Sequence, residues 1–135
     1  MDKGLAVQLF QEAANQGYAK AQPKLGVYYA IDLDDQVMAV QWFQKAADQG
    51  LAEAQASLSY QYFHGLGVPK NQELAAKWIQ KAVDQGDPLA HVILSSLYNF
   101  GLGVPLNKTL AEQLLKRVAT LGPSSTESFG YKKIH

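Results

Sequence analysis

Hydrophobic residues recur at three- and four-residue steps along most of this chain, which is the spacing of one face of an α-helix. The clearest case is the segment 71–86, whose apolar stripe consists of Ala75, Trp78, Ile79, Ala82 and Val83. The charged side chains of the same segment fall outside this stripe. The pattern therefore predicts an amphipathic helix there, and related patterns predict helices over 2–16 and 19–31.

These helical segments belong to an internal repeat. One block aligns without gaps at 9–17, 42–50, 78–86 and 114–122, with offsets of 33, 36 and 36 residues. A second block recurs in step at 19–29, 52–62 and 88–98, and the turn HGLGVPKN at 64–71 returns as FGLGVPLN at 100–107. The unit is a first helix, a turn and a second helix, stacked on its neighbours.

Polar and small residues mark the predicted ends of the helices. The predicted N-caps, which accept an orphaned backbone N–H, are Asp35, Asn71 and Asn107. The predicted stops after the second helices are Gly17, Gly50, Gly86 and Gly122, with Pro88 and Pro123 preventing continuation. Pro23 predicts a late start or a bend in the helix over 19–31. The turn at 30–35 lacks the double glycine and is the least regular part of the pattern.

The repeat resembles the Sel-1-like repeat, a relative of the tetratricopeptide repeat. The matching positions are Ala54, Gln55, Leu58, Tyr62, Gly65, Gly67, Val68, Ala75, Trp78, Lys81, Ala82 and Gly86. The resemblance covers 2–122 and implies an all-α fold, a right-handed α/α solenoid of stacked helix–turn–helix repeats. It divides the chain into a solenoid over 1–122 and a C-terminal capping tail over 123–135. Within the solenoid we expect a half-repeat at 2–17 and helix pairs at 18–50, 51–86 and 87–122.

Repeat scaffolds usually bind through variable positions on one series of helices. Projection onto a helix puts four positions of each first helix on a common face, which we call the first-helix face. Its residues are Lys20, Lys24, Val27 and Ile31, then Glu53, Ser57, Tyr60 and His64, then Leu89, Ile93, Ser96 and Phe100. The face runs from a basic end, through Tyr60 and His64, to an apolar end. We expect it to bind a peptide or a partner helix, with aromatic residues as anchors. An alternative is that the tail covers the apolar end through Phe129, Tyr131 and Ile134.

Composition narrows the possible chemistry. The 135 residues carry 12 basic and 12 acidic side chains and no cysteine, so the chain lacks the basic excess of a nucleic-acid binder and any thiolate site. No apolar run is long enough for a membrane span, and the first residues show no export signal, which predicts a cytoplasmic protein. We also expect the protein to be a monomer. The sequence has no serine-nucleophile elbow, no phosphate-binding loop and no calcium loop at 32–43, so we expect no cofactor and no metal.

Three histidines are the remaining candidates for chemistry. His91 replaces Gln22 and Gln55 of the other pairs and is predicted to make a structural hydrogen bond between helices. His64 is a candidate contact residue, and His135 is terminal.

The resemblance therefore favours a non-catalytic scaffold or adaptor that binds a protein or peptide. The alternative is an immunity protein that inhibits a secreted toxin, a role of some short bacterial Sel-1-like proteins. A less favoured third hypothesis is a cell-wall or β-lactam hydrolase, as in a cysteine-rich secreted branch of the family. That branch staples each helix pair with a disulfide, which this chain cannot form.

Overall fold

The computed structural model describes residues 3–127 and the side chains of residues 4–120. All regular secondary structure in this part of the chain is helical. Its elements are α1 (Lys3–Asn15), α2 (Ala21–Val27), a π-helical turn (Tyr28–Asp32), α3 (Gln36–Asp48), α4 (Ala52–His64), α5 (Gln72–Asp84), α6 (Pro88–Phe100) and α7 (Lys108–Glu127). The first helices of the repeat are α2, α4 and α6, and the second helices are α1, α3, α5 and α7.

Each helix packs against the next along the chain, so the core is a row of small apolar clusters. One cluster surrounds Leu25 and Trp42, the next surrounds Leu58, and the third surrounds Ile79 and Leu94. Alanines occupy most of the other buried hydrophobic positions, which lets neighbouring helices approach closely. The result is the helical repeat solenoid that the sequence pattern predicts.

The predicted helix N-termini are confirmed by their hydrogen bonds. The carboxylate of Asp35 accepts from the Met38 N–H at 3.1 Å, and the amide oxygens of Asn71 and Asn107 accept from the N–H groups of Leu74 and Leu110 at 3.0 Å. Each bond satisfies a donor that the helix itself leaves without a partner.

The predicted helix ends hold for three glycines and fail for the fourth. Gly17, Gly50 and Gly86 have φ values of +91°, +90° and +85°, a conformation that glycine adopts without steric cost. By contrast, α7 continues through Gly122 and Pro123 to Glu127. A proline in a helix removes one backbone hydrogen bond and strains the preceding turn, and here it does not end the helix.

The two Gly-Leu-Gly turns need glycine for a second reason. Gly67 and Gly103 have φ values of +76° and +77°. A Cβ on Gly67 would lie 2.3 Å from the carbonyl oxygen of Gln36, and one on Gly103 would lie 2.2 Å from that of Gln72. Each turn therefore packs directly against the first residue of the preceding second helix.

The irregular first pair differs from the others at the end of its first helix. Pro23 is the third residue of α2, in the first turn, where its missing N–H removes no helical hydrogen bond. The helix then widens into the π-helical turn, whose last bond joins the Leu33 N–H to the Tyr28 carbonyl at 3.3 Å. Asp34 takes a φ of +51°, which closes this shorter turn without a glycine.

Buried glutamines link successive pairs, and His91 does not continue their pattern. Gln22 donates to the Ala14 carbonyl at 3.4 Å, and Gln55 donates to the Ala47 carbonyl at 3.3 Å. His91 is equally buried, but its Nδ1 lies 2.8 Å from the carbonyl oxygen of Asp87, the N-cap of its own helix. The prediction of a bond between helices is therefore wrong. An imidazole is shorter than a glutamine amide, and its Nδ1 lies close enough to its own backbone to contact the carbonyl one turn before.

The two tryptophans occupy equivalent repeat positions but differ in burial. Trp42 is buried, and its indole nitrogen is a buried donor without a hydrogen-bond partner among the described residues. Trp78 is only partly buried. A lysine ammonium lies over each ring, 4.7 Å from the Trp42 centroid for Lys45 and 5.7 Å from the Trp78 centroid for Lys81.

Candidate functional site

The first-helix face is largely exposed. Tyr60 is 57% exposed and Phe100 is 67% exposed, whereas Ser57 and Ile93 are partly buried. The other exposed members of the face are Lys20, Lys24, Val27, Ile31, Glu53, His64, Leu89 and Ser96. The repeat produces this arrangement because equivalent positions of α2, α4 and α6 face the same side of the stack.

A first surface cavity of about 350 Å³ lies between α2 and α4. Four of the predicted residues line it, namely Val27, Ile31, Ser57 and Tyr60. Its remaining lining residues are Ala30, Gln36, Phe43, Gln61 and Leu66. The amide of Gln61 donates to Gln36 Oε1 at 2.9 Å and to the Leu66 carbonyl at 3.0 Å, which fixes the polar wall of the cavity.

A second surface cavity of about 300 Å³ lies between α4 and α6. It contains four predicted residues as well, namely Tyr60, His64, Ile93 and Ser96. The rest of its lining is Ala56, Ser59, Phe63, Val92, Leu97 and Leu102. None of the lining residues is an acid or a lysine, so this cavity suits an apolar or aromatic group.

Tyr60 contributes to both cavities and separates them. Its ring packs on that of His64, with centroids 4.4 Å apart, and the Phe63 ring lies 5.0 Å from His64 on another side. The spacing of four residues places Tyr60 and His64 on the same side of α4. The two rings therefore support each other at the boundary between the cavities.

Several predicted residues lie outside both cavities. Lys20, Lys24, Glu53, Leu89 and Phe100 are on the first-helix face but line neither depression. The face thus has a central part with concave features and a periphery of exposed side chains. The proposed covering of its apolar end by Phe129, Tyr131 and Ile134 concerns residues outside those that the structure describes, as does His135.

Sequence reasoning missed the contribution of the turns. Leu66 and Leu102 are the central residues of the two Gly-Leu-Gly turns, and each lines one cavity. Their identical place in both turns was a signal that could have identified them. Phe63 and Ala56 were missed because the helical projection assigns them to the side of the first-helix face rather than to it.

Other surfaces offer less for chemistry. A broad depression of about 690 Å³ lies between α5 and α6, where charged side chains such as Glu73, Lys77 and Asp84 form much of the rim. Among the described residues, no three His, Asp or Glu side chains are grouped so that they could hold a metal ion. Within the same part of the chain, no helix combines the length and apolarity needed to cross a bilayer.

Comparison with known proteins identifies the repeat. The sequence model of the Sel1 repeat matches residues 2–18, 19–51, 52–87 and 88–123. No curated protein sequence matches the chain significantly.

Solved structures of three bacterial proteins show the same architecture. A protective antigen of uropathogenic Escherichia coli with an SLR fold is 35% identical, with a TM-score of 0.83 over 93% of this chain and 28% of its own. A Sel1 repeat protein from Oxalobacter formigenes is 31% identical, with a TM-score of 0.84 over 96% of this chain and 38% of its own. The chain therefore spans well under half the length of these two relatives. Cysteine-rich protein B of Helicobacter pylori, 22% identical over 91% of this chain and 96% of its own, shares the fold with a TM-score of 0.65.

Proposed function

The chain belongs to the Sel1 repeat family, and from that premise we propose that it is a non-catalytic scaffold that binds a peptide or a partner protein along the first-helix face. Sel1 repeats generally mediate protein–protein interactions. The proposal places the centre of the contact at Tyr60, between the two cavities, and the periphery at the exposed residues around it.

The position of Tyr60 is the observation that supports this proposal most. An exposed tyrosine between two adjacent depressions is a candidate binding anchor, because tyrosine is enriched among the residues that contribute most to binding at protein interfaces. A ligand lying across Tyr60 would place side chains in both cavities at once. The cavity between α4 and α6 would take an apolar side chain, and the one between α2 and α4 would offer Gln61 and Gln36 as polar contacts.

Rigidity of the helices supports the same site. Ser57 and Tyr60 are held by α4, and the Gln61 amide is held by two hydrogen bonds. Side chains that are already ordered lose little conformational entropy when a ligand binds, which raises the affinity for a given contact area.

Affinity capture with matched variants tests the proposal. The wild-type protein, Tyr60→Ala and Tyr18→Ala serve as baits, and retained proteins are quantified by mass spectrometry. Tyr18 is the control because its exposed fraction of 62% is similar to the 57% of Tyr60, but it lines neither cavity. We expect a partner that is retained by wild type and Tyr18→Ala and lost with Tyr60→Ala.

The result also separates the two kinds of binder. A single near-stoichiometric toxin-like partner would favour the immunity protein, and several different partners would favour an adaptor. Phe100→Ala measures how far the contact extends beyond the cavities, because Phe100 lines neither. Equal retention by Tyr60→Ala and wild type would contradict a contact centred on Tyr60.

The absence of catalysis is part of the proposal and has its own assay. We expect no turnover of a chromogenic β-lactam by the purified protein. Hydrolysis that disappears in His64→Ala would contradict the scaffold function, because His64 is the exposed histidine of the candidate site.

A further inference from the structure

The cavity between α2 and α4 contains a side-chain oxygen that accepts no hydrogen bond from the described residues. This oxygen is Oε1 of Gln61, a residue that lines the cavity although it is only 4% exposed. Both hydrogen bonds of the Gln61 amide are made by its nitrogen, which donates to Gln36 Oε1 at 2.9 Å and to the Leu66 carbonyl at 3.0 Å. Within residues 4–120 the only fully enclosed side-chain polar atom without a partner is Trp42 Nε1, so Gln61 Oε1 is not sealed in the core but open to the cavity.

The other buried glutamines of the repeat use both ends of their amides. Gln22 and Gln55 each donate to a backbone carbonyl. Their oxygens accept from the amides of Gln49 at 3.1 Å and Gln85 at 2.9 Å. Gln61 differs because its oxygen remains available as an acceptor, and leaving such a group without a donor costs free energy that a ligand N–H can recover.

The amide of Gln36 adds a donor to the same cavity. Its nitrogen donates to the Ala30 carbonyl at 3.2 Å, and its second N–H has no acceptor among the described residues. Carbonyl oxygens only accept, so the carbonyls of Ala30 and Leu66 determine which end of each amide is the nitrogen. The cavity therefore offers one acceptor and one donor on two glutamines that are bonded to each other.

The equivalent cleft of the next repeat lacks this polar pair. The residues that correspond to Ser57 and Gln61, 36 positions later, are Ile93 and Leu97, and both line the cavity between α4 and α6. Leu97 is as well buried as Gln61, so the repeat can be packed with a leucine at this position. The glutamine is therefore not needed for packing, and it makes the two cavities suit different chemical groups.

We propose that the cavity between α2 and α4 is a subsite for a primary carboxamide, the side chain of a glutamine or asparagine in the bound peptide. The inference rests on the proposed function for the peptide and on Gln61 and Gln36 for the group. The carboxamide N–H donates to Gln61 Oε1, and its oxygen accepts from Gln36. A carboxylate has no donor for Gln61 Oε1, and an ammonium would lack a countercharge because no acid lines the cavity. A volume of about 350 Å³ is at the small end of ligand pockets and suits a single side chain.

Titration of the full chain with N-acetylglutamine methylamide, followed by NMR of the side-chain amide groups, tests the subsite directly. We expect saturable shifts of the Gln61 and Gln36 amide signals. The matched probes N-acetylglutamate methylamide and N-acetylmethionine methylamide should bind at least about fivefold more weakly, because neither can donate to Gln61 Oε1 from its side chain. Equal binding of the glutamine and methionine probes would overturn the proposal, and so would the absence of any shift up to the solubility limit of the glutamine probe.

Two variants change the subsite in different ways. Gln61→Leu removes the acceptor and should weaken binding of the glutamine probe at least about fivefold, with circular dichroism and Tm as checks of folding. Ser57→Ile narrows the cavity, leaves both amides in place and should weaken binding as well. The matched control is Gln80→Leu, since Gln80 lies on α5 outside the first-helix face, and it should bind normally. Unchanged binding by both Gln61→Leu and Ser57→Ile would contradict the assignment.

Selection of random displayed peptides on wild type, Gln61→Leu and Tyr60→Ala separates this inference from the proposed function. We expect peptides that require Tyr60, with glutamine or asparagine enriched on wild type and not on Gln61→Leu. Peptides that require Tyr60 without this preference would overturn the carboxamide subsite and support the scaffold. Binding of the glutamine probe without enrichment of any peptide would support the subsite and contradict the peptide-binding function.

Discussion

Replacing Gly67 by alanine should destabilise the protein far more than replacing Gly50. Both glycines have positive φ, which costs an alanine about 1–2 kcal/mol. A Cβ at position 50 would meet nothing within 4 Å, whereas one at position 67 would lie 2.3 Å from the backbone oxygen of Gln36. Relieving that overlap requires the turn and the start of α3 to separate, and overpacking of this kind costs about 1–3 kcal/mol more.

The expected free energies of unfolding can be checked by urea denaturation followed by circular dichroism. Gly50→Ala should lose about 1–2 kcal/mol, and Gly67→Ala should lose about 2–5 kcal/mol when both terms are added. Gly103→Ala should behave like Gly67→Ala, because its Cβ would lie 2.2 Å from the Gln72 oxygen. Equal losses for Gly50→Ala and Gly67→Ala would refute the close approach of turn and helix and leave only the backbone conformation as the reason for glycine.

Other substitutions test the packing and the polar contacts by the same denaturation assay. Trp42→Ala should cost about 3–5 kcal/mol as a buried aromatic truncation, and Trp78→Ala less, because Trp78 is only partly buried; equal losses would contradict the difference in burial. Asn71→Ala should cost about 1 kcal/mol through loss of the N-cap of α5, with Asn71→Asp as the control that keeps the cap. Gln55→Leu should cost about 1–3 kcal/mol, because two hydrogen bonds are lost: the one that Gln55 donates to the Ala47 carbonyl and the one that it accepts from the Gln85 amide, which keeps only the Gly50 carbonyl; an unchanged stability would mean that water replaces both bonds.

The regular part of the fold was predictable because the same residue pattern recurs in each repeat. Each helix is marked by the same apolar stripe, and caps such as Asn71 and Asn107 recur at the same offset from it. The exceptions are positions where the repeat is broken. Gly122 and Pro123 resemble the end of a second helix, but no residue-level rule forces a helix to stop at them. His91 shows that a substitution at a repeat position can keep its burial and change its hydrogen-bond partner.

The candidate site was predictable only in part, because a helical projection describes one helix at a time. It correctly placed Tyr60 and His64 together on one side of α4, since that depends on their spacing alone. The cavities, however, lie between helices, and their walls include Leu66 and Leu102 from the turns. The depth of a depression between α4 and α6 depends on how far these helices are apart, and no property of a single helix determines that distance.

One side of α7 is polar where the corresponding side of α3 and α5 is apolar. The position that is Val40 in α3 and Ala76 in α5 is buried under the next first helix, and in α7 it is Glu112, which is exposed. Covering Glu112 with another helix would bury a carboxylate without a defined partner, which is costly. A first helix seated over this side of α7 is therefore disfavoured, and this follows from a single residue at a fixed repeat position.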